Sequence, residues 1–306
     1  MRVLFMGTPD FAVPALNAIA KEHEVVGVIT QQDKPRGRGH KMSPTPVKEA
    51  AIENNIEVYQ PIKVKEQESV KIIRELNPDV IVVIAFGQIL SKEILDIPRL
   101  GCINVHASLL PKYRGAAPIQ WAVINGDEYS GVDTMYMEEG LDTGDIIESV
   151  KVKLDKDETG GSLFDRLSLK GAEVILSTLK KLESGEFSRT KQDESQATYA
   201  GKITKDMGLL DYNKSASELE CLIRGLNPWP AAFTFLDSKR VKVWKASVVD
   251  IDKNITPGTI VSKKKQLVIA TADKGLSIDE LQVEGKKRMK ASDFLNGVKI
   301  VNDIVG

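Results

Sequence analysis

Cysteine is nearly missing: Cys102 and Cys221 are the only two in 306 residues, too few for a disulfide framework and wrongly spaced for a zinc cluster. That scarcity fits a reducing, cytoplasmic compartment. The three histidines, His23, His40 and His106, lie far apart without the short spacings of a metal site, so no metal is expected. No apolar run approaches the roughly 18 residues that a spanning helix needs. The opening MRVLFMGTPDF passes from a short apolar run into Gly-Thr-Pro-Asp, where a signal peptide would carry a cleavage site. It reads as a first strand, and no membrane partner is expected. A strong net charge is missing too. The balance of -1 excludes chain-wide attraction to polyanions, so any nucleic-acid contact has to come from local patches. Finally, GTPDF lacks the G-x-G-x-x-G pattern by which a backbone approaches pyrophosphate, which argues against a dinucleotide cofactor.

What is present is ordinary globular material, 42% hydrophobic and 28% charged, long enough for two domains. The first half alternates β-rich runs with helical stretches: RVLFM, Phe11 to Lys21, EVVGVIT, Val47 to Asn55, DVIVVIAFG, GCINVHAS and VDTMYM. The fold class this implies is α/β, with a Rossmann-like, mostly parallel N-terminal sheet. DVIVVIAF is almost continuously apolar and β-branched, as a strand covered on both faces should be, and belongs at the sheet centre. Ligands of such sheets bind beyond the carboxyl ends of the strands, so the loops after Met6, Phe86, His106 and Met137 are where chemistry is expected. Thr8 or Asp10 could cap the first helix or line the cleft. Pro14 is tolerated only if that helix begins near Phe11. From Lys180 to Thr204 the chain is small and charged and reads as a connector. We expect a catalytic domain over 1–185, a linker over 186–203, and a small OB-like β-barrel over 204–306. That barrel would be built from a helix near Ser215 to Arg224 and the runs AAFTFL, VKVWKASVV, GTIVS, QLVIAT and GLSIDELQV.

The segment GCINVHASLLPKYRGAAPIQWA is the densest in chemistry. Asn104 and His106 are two apart on a predicted strand, so they share a face with Cα atoms roughly 6.6 Å apart, close enough to address one small carbonyl. Cys102 shares that face but lies about 13 Å from His106, too far for an activated Cys-His pair. A lone histidine is most often a satisfied core or surface group; EEGLDTGDII changes that, by placing Asp142 in a Gly-flanked turn able to reach a neighbouring strand end. An Asp in such a turn is otherwise a turn former.

Asn-x-His, the SLLP-x-x-RG run behind it, and LDTGD some 36 residues later together resemble the folate-dependent formyltransferase family. The resemblance runs on through MGTPDFAVPAL, TQQDKPRGRGHKMSPTPVK, NPWPAAFT, VKVWKAS and PGTI, in the order found in members that formylate the methionyl initiator tRNA. It implies 10-formyltetrahydrofolate as co-substrate, bound by Phe86, Gly87, Gln88, Ile89, Ser108, Leu109, Leu110, Pro111 and Gly140. It also implies that Asn104 and His106 donate to a developing oxyanion while Asp142 orients or charges His106. Which of His106 and Asp142 moves the proton stays open. The basic loop with Arg36, Arg38, His40 and Lys41 would enter the tRNA acceptor end, although Gln32 stands where family members more often have proline.

In the second half, 17 Lys and Arg stand against 13 Asp and Glu from Thr204 onward, while the first 203 residues carry 25 against 30. Lys242, Lys245, Lys263 to Lys265 and Lys286 to Lys290 would supply a surface for the acceptor stem. Trp229, between two prolines, reads as core packing ahead of a stacking platform. The rivals are transfer to a sugar nucleotide or glycinamide ribonucleotide, hydrolysis of the formylfolate, and a non-catalytic RNA binder. A basic second domain argues against the first three and the Asn104, His106, Asp142 trio against the last. A monomer is the default expectation.

Overall fold

The computed structural model describes residues 1–306 except 37–40, 253, 265, 299 and 306, and of Arg36 and Lys41 the backbone only. It divides into two compact units. The first is Met1–Gly115, Ser130–Val152 and Phe164–Ala200; the second is Ala116–Tyr129, Lys153–Leu163 and Gly201–Gly306. The second unit therefore draws two pieces from the stretch before residue 185, which no single cut describes.

In the first unit seven strands form one sheet, in the order Ile146–Lys153, Tyr129–Tyr136, Cys102–His106, Val80–Ile84, Arg2–Gly7, Glu24–Ile29, Val58–Tyr59. The five from Cys102–His106 onward run parallel. Val80–Ile84 is the fourth of the seven, and all five of its residues are buried, as the β-branched run required. On one side of it Leu4, Met6, Ile29, Val70, Ile73, Ile81 and Phe86 make a continuous core. Each such side chain contributes about 1.5–3 kcal/mol on burial. The first helix, Val13–Glu22, follows a single 3-10 turn, Asp10–Ala12, and carries Pro14 in its first turn. There the missing N–H breaks no hydrogen bond. Neither candidate caps it: the Thr8 hydroxyl donates to the Phe86 carbonyl and Asp10 accepts from its neighbour Phe11 N. Thr45 does cap the helix Pro46–Glu53, accepting from Lys48 N. The long helix Gly160–Ser184 packs beneath the sheet edge, where the Thr178 and Thr134 hydroxyls meet at 2.8 Å.

One expectation about the loops is corrected. Tyr129–Tyr136 pairs antiparallel with Cys102–His106, Ile103 facing Tyr136 and His106 facing Asp133. Its carboxyl end, and with it Met137, thus lies beside Cys102, opposite the edge where the parallel strands end.

In the second unit a six-stranded antiparallel sheet curls into a half-barrel, its path running Ala232–Leu236, Lys239–Val249, Gly275–Val283, Leu267–Ala270, Ile260–Lys263, with Met289–Lys290 added beside Gly275–Val283. Its core is built from Leu219, Ile223, Val241, Val243, Ile269, Leu276, Ile278 and Phe294. The helix Ala216–Gly225 lies against it and opens with a capping box. Ser215 Oγ accepts from Glu218 N, and Glu218 accepts from Ser215 N in return. No helix among the described residues is long and apolar enough to cross a membrane.

Removing that cap gives a direct check. Ser215→Ala should lower the unfolding free energy by about 1 kcal/mol, while Glu218→Gln, which keeps the reciprocal acceptor, should cost less. Denaturant titration measures both, and an unchanged midpoint for Ser215→Ala would remove the box from the stability of this unit.

Candidate active site

The strand Cys102–His106 is buried along its length. Its alternation sends Val105 to the face where Gly171 of the long helix leaves room for it, and Asn104 and His106 to the other. That second face is covered by the 137–145 loop. The Tyr136 amide donates to the Asp145 carbonyl, and a Cβ on Gly144 would overlap the Tyr136 carbonyl oxygen. The loop therefore closes tightly at its base and folds back over the strand. Asp142 adopts a left-handed conformation, φ 53°, uncommon for a residue with a side chain but tolerated by Asp.

The three residues singled out in sequence do come together. One Asp142 oxygen, Oδ2, accepts the Gly115 amide at 2.8 Å and lies 3.7 Å from His106 Nδ1. The other, Oδ1, lies 3.5 Å from Asn104 Nδ2. His106 Nε2 sits 2.9 Å from the Tyr113 carbonyl. A carbonyl can only accept, so Nε2 carries a hydrogen and Nδ1 is the nitrogen that faces the carboxylate. Among the described contacts the Asn104 amide is the least engaged donor of the site.

Cys102, at the far end of the strand, is buried among apolar side chains, which pushes its thiol up to about 12. It is no nucleophile at neutral pH.

The residues expected around a folate fall into three groups. The Phe86 ring is buried, its carbonyl held by the Thr8 hydroxyl and Gln31 Nε2; Gly87 takes a positive φ of 79°. Gln88 accepts the Val64 amide and so ties down the neighbouring 61–64 segment, whereas Ile89 stands 86% exposed. In the second group Ser108 is buried and donates to the Lys112 carbonyl at 2.6 Å, Leu110 is buried, Leu109 is half-buried, and a cis bond joins Leu110 to Pro111. Gly140 is exposed in the third loop. Ser108 and Gln88 thus shape backbone, and the apolar and main-chain groups around them are what a flat ligand could use.

Of the basic loop, Arg36 and Lys41 pair at the end of a short antiparallel ribbon, Lys34–Arg36 with Lys41–Ser43. Arg38 and His40 lie outside the described residues. Trp229 corrects the core-packing expectation. It is 53% exposed and, with Lys205, Arg240, Lys242 and Gln282, lines a cavity of about 380 Å³ in the second unit.

Sequence reasoning missed Arg114, Gln192 and Asp133. Arg114 is buried, its guanidinium paired twice with Glu194 and twice with Gln192. Glu194 in turn is held below the usual carboxylate range by Arg114. Gln192 donates to the Asp142 and Gly144 carbonyls, both at 2.8 Å. Asp133 is wholly buried, and its only advance signal was an acid inside the apolar run VDTMYM.

A buried, strand-mounted Asn-His pair with a loop aspartate is the constellation the fold positions. The formyl transferase model matches residues 1–179 and the formyl transferase C-terminal domain model residues 202–299, so the chain belongs to the formyl transferase family. Curated relatives are more particular. A protein named methionyl-tRNA formyltransferase from Agathobacter rectalis is 55% identical over 302 residues, covering 98% of this chain and 97% of its own. Another of that name from Clostridioides difficile is 51% identical over 307 residues, covering 100% and 99%. The chain groups with these within the family. Solved structures share the fold: an N-formyltransferase from Helicobacter canadensis has a TM-score of 0.67 at 18% identity, covering 91% of this chain and 98% of its own. Phosphoribosylglycinamide formyltransferase from Streptococcus pneumoniae, at 0.51 and 21%, covers 60% and 98%.

Burial pushes the Asp133 carboxyl up to about 7 from 3.8, against the pull of the Ser149 hydroxyl and the Leu110 amide. A raised folded value means that the folded state holds this proton more tightly. The stability it contributes is full below the unfolded value and lost as pH rises through the folded one. Asp133→Asn, which never ionises, should melt well above the parent at about pH 8, the gap narrowing as pH falls toward about 5. Calorimetric melts of both proteins at the two pH values test this, and a gap independent of pH would refute it.

Proposed function

We propose that this protein transfers the formyl group of 10-formyltetrahydrofolate to the α-amino group of methionyl initiator tRNA. The observation that carries the reading is the convergence of Asn104, His106 and Asp142 at one buried strand end, in a chain about half identical over its whole length to proteins named for that reaction.

The chemistry follows from those side chains. An α-amino group titrates near 8, so a useful fraction is neutral at pH 7 and needs no strong base. The amine nitrogen attacks the formyl carbon, a C–N bond forms, and charge collects on the formyl oxygen. Asn104 Nδ2, the least engaged donor, receives that charge first. His106 joins it by turning its Nε2 hydrogen from the Tyr113 carbonyl to the oxyanion. Such donors are worth roughly 3–4 kcal/mol each. Asp142, fixed by the Gly115 amide, keeps the His106 ring oriented and shares the proton shed by the amine. Collapse breaks the bond from the formyl carbon to the folate nitrogen, which leaves carrying a proton. The Phe86–Ile89, Ser108–Pro111 and Gly140 segments supply apolar and main-chain surface for the pterin.

For the acceptor, the exposed Trp229 indole beside Arg240 and Lys242 supports RNA: a base can stack on the ring while the cations meet phosphate. The ribbon bearing Arg36 and Lys41, with Arg38 and His40 between, would meet the acceptor end. We place the reaction in the cytoplasm, with the chain working as a monomer.

Formyl transfer to methionine-charged initiator tRNA, with free methionine and charged elongator tRNA as controls, tests the whole reading. His106→Ala should lower kcat by about 10²–10³. Folate turnover without transfer to tRNA would move the reading to another amine or to hydrolysis. Trp229→Ala should raise the KM for tRNA by roughly tenfold with little change in kcat; an unaltered KM would take Trp229 out of the RNA surface.

A further inference from the structure

Asp133 has no part in the mechanism above, yet no other carboxylate of the first unit is so enclosed beside the site. It stands on Tyr129–Tyr136 directly opposite His106, is 0% exposed, and its Oδ2 accepts the Leu110 amide at 2.6 Å. Two residues earlier on the same face is Gly131. A Cβ there would run into Leu109 and the Val150 carbonyl. The 109–111 segment thus lies down on this strand, Leu109 over Gly131 and Leu110 over Asp133.

Other ties hold the ends of the segment. Ser108 donates to the Lys112 carbonyl, the Pro111 carbonyl accepts the Thr198 amide, and the Tyr113 amide donates to the Thr198 hydroxyl. Asp133 is what holds its middle. A carboxylate is a costly group to bury, and burial pushes it up to about 7 against the pull of the Leu110 amide and the Ser149 hydroxyl. It also makes a shorter and stronger acceptor than a neutral oxygen, one suited to fixing a backbone position.

We infer that Asp133 is a positioning residue for the formyl donor: by holding the Leu110 amide from beneath, it sets the Leu109–Leu110–Pro111 backbone against the strand whose register also places His106. The inference rests on the reading of that segment as part of the folate site. Because Asp133 and His106 are cross-strand neighbours, the donor-binding backbone and the transfer group are referenced to one strand pair.

The test uses the full chain with Asp133→Leu, which keeps the side-chain outline without an acceptor, and Asp133→Asn, whose amide oxygen still accepts from Leu110. Donor kinetics at saturating charged tRNA, calorimetric binding of tetrahydrofolate and thermal melts are measured for each. Asp133→Leu should raise both the donor KM and the tetrahydrofolate Kd by roughly tenfold while kcat stays within about threefold, and Asp133→Asn should recover both to within about twofold. Should the leucine variant not fold, Asp133→Ala takes its place. A leucine or alanine variant that melts differently but binds donor as the parent does would reduce Asp133 to a purely structural role and overturn the inference. So would an asparagine variant as impaired as leucine. A parent protein that binds no tetrahydrofolate would instead overturn the folate reading itself.

Discussion

The site depends on a reversal at one edge of a parallel sheet. Were Tyr129–Tyr136 parallel to Cys102–His106, as the other strands are to one another, its following loop would leave from the far side of His106. Antiparallel pairing instead delivers the chain beside Cys102, and the 137–145 loop folds back over the strand face before it closes on Tyr136 and enters Ile146–Lys153. That return path is what lays Asp142 over Asn104 and His106. The same pairing sets His106 opposite Asp133. A slip of one residue in Tyr129–Tyr136 would turn Asp133 away from the face that carries His106.

A loop that doubles back needs anchoring, and the anchors come from far along the chain. Gly115 holds the Asp142 side chain and Gln192 holds its carbonyl. Arg114 connects the two, being the residue before Gly115 and the partner of Gln192 Oε1. Burying a guanidinium is expensive, and here the expense is offset by a two-pronged pairing with Glu194 and two further bonds to Gln192. The pairing of Arg114–Gly115 with Tyr199–Ala200 adds main-chain bonds to the same clamp. The stretch that composition marks as a surface connector is therefore, from Thr190 to Ala200, part of what shapes the site.

That difference measures what a sequence can and cannot convey. The strands of both units were legible because β-branched runs and two-residue alternation are local signals, and so was the helix after Ser215, whose cap lies within four residues. Asn104, His106 and Asp142 were legible as a motif. What was hidden depends on partners distant in sequence. Nothing in KQDESQ marks Gln192 as the residue that holds Asp142, and a strand's direction is not written in its own residues, so the loop after Met137 starts from the opposite edge to the one expected, although its Asp142 reaches Asn104 and His106 as expected. Trp229 failed differently. An indole between prolines packs or stacks according to what faces it, and that is a tertiary fact. The pieces 116–129 and 153–163 were read with the domain over 1–185 because a single linear cut was the simplest division.

Under the proposed reaction, the resting geometry divides the work unevenly among the three residues. Among the described contacts, the His106 Nε2 hydrogen is held by the Tyr113 carbonyl while Nδ1 faces the Asp142 carboxylate at 3.7 Å, and Asn104 makes a long contact with Asp142. A donor held by a good acceptor must give up that bond to serve another, so its net gain is the difference between the two. Asn104 gives up little. An oxyanion is a better acceptor than a backbone carbonyl, so the His106 hydrogen gains by moving only once negative charge has built on the formyl oxygen. A neutral formyl group in the ground state offers no such gain. In the proposed transfer this would make the His106 contribution selective for the transition state, and a contact that strengthens only there is the kind that raises kcat.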